Sequence, residues 1–193
     1  MDKARVEGSV NPESTNGSVI WITGFSGSGK TTVSKLLVNE FRNAQIHPIL
    51  LDGDELREAL TPIGSSEYEY DAKRRFNFAM TYCKLSNLFA SQGFVCIVST
   101  ISLFREVHDW NRNNIQNYFE VFLDVPLGER QRRDPKGVYK RFDLGLENNV
   151  SGLDLAAEIP ENPHMTIGFS ADLGPLDQAR MIFERFLTKG EHQ

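Results

Sequence analysis

"VIWITGFSGSGKTT", residues 19–32, decides the fold. Its opening residues are apolar or β-branched and read as a buried strand, Ser18 to Thr23. Behind it, "KTTVSKLLVNEFRNA" carries Val33, Leu36, Leu37 and Phe41 at helical spacing. Between them lie Gly24, Phe25, Ser26, Gly27, Ser28, Gly29, Lys30 and Thr31, which meet the pattern G-x-x-x-x-G-K-[ST]. Glycines let the backbone curl until successive N–H groups face inward as an anion nest. The helix N-terminus that follows favours phosphate. Lys30 is placed to reach outer phosphates, and Thr31, followed by Thr32, to offer a hydroxyl to Mg²⁺. A strand, this turn and a helix in that order make a nucleotide triphosphate site, with ATP and Mg²⁺ as its expected contents.

Working outward, the chain alternates strand and helix. "IHPILLD" (46–52) reads as a second strand and "GDELREAL" (53–60) as a short helix that Pro62 ends. Residues 63–70 read as a loop, and 71–93 as a long amphipathic helix. "FVCIVST" (94–100) is a continuous apolar run, so a strand covered on both faces. "SLFREVHDWNRNNI" (102–115) is helical, "YFEVFLDV" (118–125) a fourth strand, and "PLGERQRR" (126–133) a short helix opened by its proline. "HMTIGF" is a fifth strand, and "LDQARMIFERFLTKG" closes the chain as a helix. The pattern predicts an α/β three-layer sandwich of the P-loop NTPase type, with a mainly parallel five-stranded sheet. Residues 134–163 are long, polar and rich in Gly, Pro and Asn. They are too long for an ordinary connection and read as a lid, about 133–163, over the domain 18–193. Residues 1–17 read as a flexible lead-in.

The 193 residues are 40% hydrophobic, which suits one domain, and the net charge of −5 argues against a nucleic-acid partner. No apolar run approaches the roughly 20 residues of a membrane span. No secretory h-region is evident, and Cys83 and Cys96 sit in apolar contexts as free thiols, so the cytoplasm is expected.

A second site gathers behind the second strand. "LLDGDELR" puts Asp52, Asp54 and Arg57 at the sheet's carboxyl edge, where open α/β sheets bind ligands. Either acid suits a proton acceptor or a cation holder, and Arg57 an anionic acceptor. Arg74, Arg75 and Asn77 open the long helix near them. "STISLFR" places Ser99, Thr100, Ile101, Ser102 and Arg105 at and just beyond the end of the third strand, with no acid in the usual cation-binding place. That disfavours a water-activating ATPase and favours a small-molecule kinase whose acid comes from the second strand. Arg130, Arg132, Arg133, Lys136, Lys140 and Arg141 crowd the mouth of the lid, where cations offset charge that shifts in phosphoryl transfer.

With "GFSGSGKTT", "LDGDELR", "ISLFR", "RQRRDPKGVYKR" and "NNVSGLDLAAEIPENP", the chain resembles the adenylylsulfate kinase family from about Val19 to Phe186. The resemblance implies transfer of the γ-phosphoryl of MgATP to the 3'-hydroxyl of adenylyl sulfate, a small-molecule nucleotide acceptor, and a homodimer as the partner state. It implies Lys30 and Thr31 on phosphates and magnesium, and Asp52 and Asp54 beside the hydroxyl. Arg57, Arg74, Asn77, Ile101, Ser102 and Lys136 would form the acceptor pocket, with Arg132 beside ATP. Ser102 matches a serine described in the family as a phosphoserine intermediate. Direct in-line attack needs none, so Ser102 is read first as a pocket residue. Val150 stands where the family has a stacking phenylalanine, Ala157 where it has a tyrosine, and Leu103–Phe104 replace a proline–tyrosine pair; Tyr68 and Tyr70 are the nearest substitutes for a glycine–phenylalanine before the long helix. "HDWNRNN" is similar to a branch acting on cytidine diphosphoramidate in surface polysaccharide modification, which is the alternative acceptor. An ATP-dependent regulatory switch is the alternative of another class.

Overall fold

The computed structural model describes residues 17–61 and 72–189. The lead-in expected over 1–17 (all but its last residue), the loop over 63–70 and both tyrosines within it lie outside the described residues.

Five parallel strands form one sheet in the order β2-β3-β1-β4-β5: β1 (Ser18–Thr23), β2 (Ile49–Asp52), β3 (Val95–Thr100), β4 (Tyr118–Asp124) and β5 (Met165–Gly168). Side chains alternate across it. Ile20, Ile22, Ile97 and Val121 face the layer of α1 (Lys30–Asn43) and α7 (Pro175–Lys189), where Val33, Leu37, Phe41 and Ile182 close the core. Val19, Trp21, Leu51 and Val98 face α3 (Ala72–Ala90) and α4 (Arg105–Asn114), meeting Ala79, Tyr82, Cys83 and Val107. Covering on both faces is why the central strands read as unbroken apolar runs. Cys83 and Cys96 are free and buried, and burial pushes both thiols up to about 12. Among the described residues no helix is long and apolar enough to cross a membrane.

Three boundaries differ from the sequence reading. β2 starts at Ile49, since Pro48 has no N–H to give a neighbouring strand. α4 starts at Arg105, because Ser102 has a φ of 29° and Phe104 is extended. The segment 134–163 is not structureless: α6 (Val138–Asp143) lies inside it, following α5 (Leu127–Arg133). The Asp134 carboxylate starts α6 by accepting from the Tyr139 and Lys140 N–H groups at 3.2 and 3.0 Å. Further on, Asp154 accepts from the Asn149 and Val150 N–H groups, folding the segment back on itself.

"HDWNRNN" lies on α4, and its His108, Asn111 and Arg112 turn into the core rather than to the carboxyl edge of the sheet. His108 Nδ1 and Arg112 meet the Glu120 carboxylate, which is fully buried on β4. Asn111 Nδ2 donates to the Tyr118 hydroxyl.

Candidate active site

Gly29 begins α1 at a φ of 94°, a conformation other residues adopt only with strain. The helix has no side-chain cap and no acid in its first turn, so its N–H groups and dipole are presented openly to an anion. Lys30 folds back, donating to the Phe25 carbonyl at 2.7 Å. Burial, with Lys136 as the next cause, lowers its ammonium from 10.5 to about 7.

Two acids frame the next turn, α2 (Gly53–Leu60). Asp52 is buried and caps the helix: one carboxylate oxygen accepts from the Asp54 N–H at 3.0 Å, the other from the Thr31 hydroxyl at 2.8 Å. The phosphate loop and the second strand are thereby joined. Gly53 sits so close to β3 that an added Cβ would lie 3.2 Å from the Ser99 carbonyl. Asp54 points the other way and is half-exposed. Arg57 donates to it at 2.9 Å, and Lys136 reaches it from the far side of the loop after α5. Burial raises the Asp54 carboxyl, but Lys136 and Arg57 outweigh that and hold it below its ordinary value of 3.8.

These groups open on one cavity of about 700 Å³. Its wall includes Ser26, Gly27, Gly29, Lys30, Thr31 and Thr32 from the loop, and Asp52, Asp54 and Arg57 from the turn. Ile101, Ser102 and Lys136 also line it. Ser102 is buried, its hydroxyl 2.8 Å from that of Thr100.

Other expected site residues stand elsewhere. Gly24 and Ser28 lie behind the loop, where an added Cβ on Gly24 would meet the Ser28 hydroxyl at 2.8 Å. Arg74 packs over the Phe78 ring, 5.7 Å from its centre, and does not line the cavity, and Asn77 is exposed. Val150 is buried and off the wall, which near the lid is formed by Ser151 and Ala156. Arg132 turns outward to Glu129, its side chain 73% exposed, while Arg133 faces the cavity and approaches the Gly27 carbonyl at 3.4 Å. Hydrogen bonds from Arg132 and Arg133 pull Glu129 down to about 2.

The wall also holds Arg75, one of the basic residues expected near the second site, and rings that sequence reasoning did not single out as contacts. Arg75, Phe78 and Tyr82 repeat at i, i+3 and i+7 on α3, a spacing that could have revealed a second face. Phe104 adds another ring. Arg130 leaves the basic cluster altogether. It is buried, stacks 4.2 Å above the Phe25 ring and donates to Tyr139, whose hydroxyl donates to the Ser26 carbonyl. On another side of that ring lies Gly152, where an added Cβ would come within 2.5 Å. The segment after α5 is thus packed against the phosphate loop.

Filling the loop with phosphate has a titratable consequence. A phosphate beside Lys30 favours its charged form, so nucleotide binding raises its pKa. At pH 7–8, where the free group is partly deprotonated, binding is expected to take up a fraction of a proton, and affinity to fall as pH rises through about 7. Calorimetry of ATP-analogue binding in buffers of different ionisation enthalpy measures this; uptake independent of pH between 6 and 9 would contradict the lowered ammonium.

The profile of adenylylsulphate kinases matches residues 16–168. A cytidine diphosphoramidate kinase of Campylobacter jejuni is 38% identical over 146 residues, 76% of this chain and 83% of the relative. An adenylyl-sulfate kinase of Pseudomonas aeruginosa is 36% identical over 167 residues, 86% of this chain and 83% of the relative. Among solved structures, the Mycobacterium tuberculosis APS kinase CysC in complex with AMPPNP and APS superposes with a TM-score of 0.79 at 29% identity, covering 88% of this chain and 97% of that one.

Proposed function

Because the chain belongs to the adenylylsulphate kinase family and is a phosphotransferase of that kind, we propose that its cavity takes MgATP on the α1 side and a nucleotide acceptor on the α3 side. The γ-phosphoryl passes to the acceptor's 3'-hydroxyl, with adenylyl sulfate the first-choice acceptor. One observation carries this reading: Thr31–Asp52 and Asp54–Lys136 line the same cavity, so the phosphate end and the acid turn share one space.

The loop N–H groups, α1 and Lys30 hold the outer phosphates, and Arg133 flanks them. The donors near Thr31 are hard oxygens, the Thr31 hydroxyl and the buried Asp52 carboxylate, which suit Mg²⁺. When bound, Mg²⁺ would neutralise charge on the β- and γ-oxygens. Asp54 orients the acceptor hydroxyl. As the new O–P bond forms, the bond from the γ-phosphorus to ADP breaks, and the hydroxyl proton passes to Asp54 and then to solvent. A depressed carboxylate is a weak base, which matches a loose transition state that needs its proton removed late. Arg57 and Lys136 offset the acceptor's anionic tail, and Phe78 and Phe104 offer rings to its base. Ser102 supports the wall without a covalent intermediate. Residues 133–163 act as the lid, excluding water so that ATP is not spent on hydrolysis.

Cytidine diphosphoramidate is the second reading, favoured by the Campylobacter relative and by Val150, which is buried and brings no lid ring to the wall. The test is ADP release with each acceptor at matched concentrations. A higher kcat/KM for adenylyl sulfate is expected. The reverse order transfers the assignment to the second acceptor, and no rise over the acceptor-free rate ends both.

A further inference from the structure

Ser99, the last but one residue of β3, lies on the cavity wall, one strand away from Asp52, its register partner. Leu50 and Ile97 both face the α1 layer; two residues on, Asp52 and Ser99 face it too. That is the side from which the Thr31 hydroxyl meets Asp52. Hydroxyls around Ser99 are satisfied: Thr23 donates to the Ile101 carbonyl at 2.5 Å, and Thr100 pairs with Ser102. Ser99 is equally buried, 3% exposed, yet its Oγ has no hydrogen-bond partner among the described residues. An unsatisfied buried hydroxyl is unfavourable, and this one belongs to a residue of the cavity wall.

We propose that Ser99 is a positioning residue of the cation subsite, its hydroxyl holding a water of the divalent cation that Thr31 and Asp52 receive with the nucleotide. Mg²⁺ keeps several of its waters, so a neutral hydroxyl at the edge of its shell has a partner whenever the cation is present. Many nucleotide-binding α/β proteins use an aspartate for this task. A second buried carboxylate beside Asp52 would resist ionisation here, whereas a hydroxyl adds no charge. The inference rests on the MgATP reading above.

The test is Mn²⁺ titration, followed by electron paramagnetic resonance, of the whole protein saturated with ADP. Ser99→Ala is expected to weaken Mn²⁺ about tenfold, the lower end for outer-shell partners of metals. Metal-free ADP affinity should stay unchanged, and the Tm of the ligand-free protein should hold or rise, because an unpaired hydroxyl is removed. Ser99→Thr, which keeps the hydroxyl, should restore Mn²⁺ binding. Wild-type Mn²⁺ affinity in Ser99→Ala overturns the inference, as does an equal loss of metal-free ADP binding or a marked fall in Tm, either of which makes Ser99 a nucleotide or structural residue. Failure of the wild-type ADP complex to bind Mn²⁺ would instead remove the MgATP reading itself.

Discussion

Asp54→Asn is expected to lower kcat at least about 100-fold, the lower end for loss of a positioned proton acceptor, while ATP affinity changes little. Asp54 is the acid that faces the open cavity; Asp52 is committed to Thr31 and to the α2 cap. The amide keeps the shape but loses the charge that orients a hydroxyl and accepts its proton. Two effects on ATP oppose each other. Removing Asp54 lowers Lys30 further, since Asp54 is one of the charges holding that ammonium up. It also removes a negative charge from the neighbourhood of the phosphates and frees Lys136. Affinity should therefore stay within a few-fold near neutral pH. Lys30 tolerates no such balance, and Lys30→Ala should lose binding and turnover together. Single-turnover transfer and calorimetry with a non-hydrolysable analogue separate the cases. Parallel loss of transfer and binding in Asp54→Asn would reassign Asp54 to the nucleotide or its cation.

The largest effect on stability belongs far from the cavity. Glu120→Gln is expected to destabilise the fold by about 3–5 kcal/mol, as breaking a buried ion pair does. For a chain of this size that lowers Tm by roughly 6–20 °C. Glu120 lies fully buried toward the amino end of β4, in register with Trp21 of β1. His108 Nδ1 lies 2.6 Å from its carboxylate, the Tyr118 hydroxyl donates at 2.9 Å, and Arg112 grips the other oxygen. Glutamine would present an amide NH₂ to that ring of donors and leave Arg112 without its counter-charge. Burial raises the Glu120 carboxyl, but His108 and Arg112 outweigh it and hold it below 4.5. A carboxylate lowered in the folded state contributes stability above its unfolded value and loses it as pH falls. The gap between wild type and Glu120→Gln should therefore be full at pH 7 and narrow below about pH 4. Thermal melts at both pH values measure it. Turnover per folded molecule should be unchanged, because these groups sit at the edge opposite the phosphate loop. A Tm near wild type at pH 7 would mean the charge is not needed there.

Much of this was legible along the chain because the signals are local. The Gly24–Thr31 pattern carries its own backbone geometry, and the apolar runs of the strands follow from burial on both faces. "LDGDELR" could be placed at the carboxyl edge from strand order alone. What periodicity did not reveal were choices between adjacent residues. Arg75 rather than Arg74, and Arg133 rather than Arg132, face the cavity, because each pair straddles a helix surface whose rotation is set by packing. The basic run after β4 reads as one cluster, yet it divides into a buried tether, Arg130, an outward pair with Glu129, and a contact to Asp54 from Lys136. "HDWNRNN" marks a likeness to one branch of relatives, and in the fold its His108 and Arg112 clamp Glu120, a partner whose burial no local pattern reveals.

By itself, the order of residues determined the alternation of strand and helix, the phosphate-binding turn and the presence of acids behind the second strand, since each depends on neighbours within a turn or two of chain. Only the tertiary structure decided which acid caps and which faces the cavity, which arginines are inside, and that Val150 is buried. Those outcomes depend on contacts between segments 21 to 113 residues apart, such as Thr31 with Asp52, Asp54 with Lys136 and Ser26 with Tyr139. The free energy of burying or pairing a charged group is set by what the fold brings beside it, not by its neighbours in the chain.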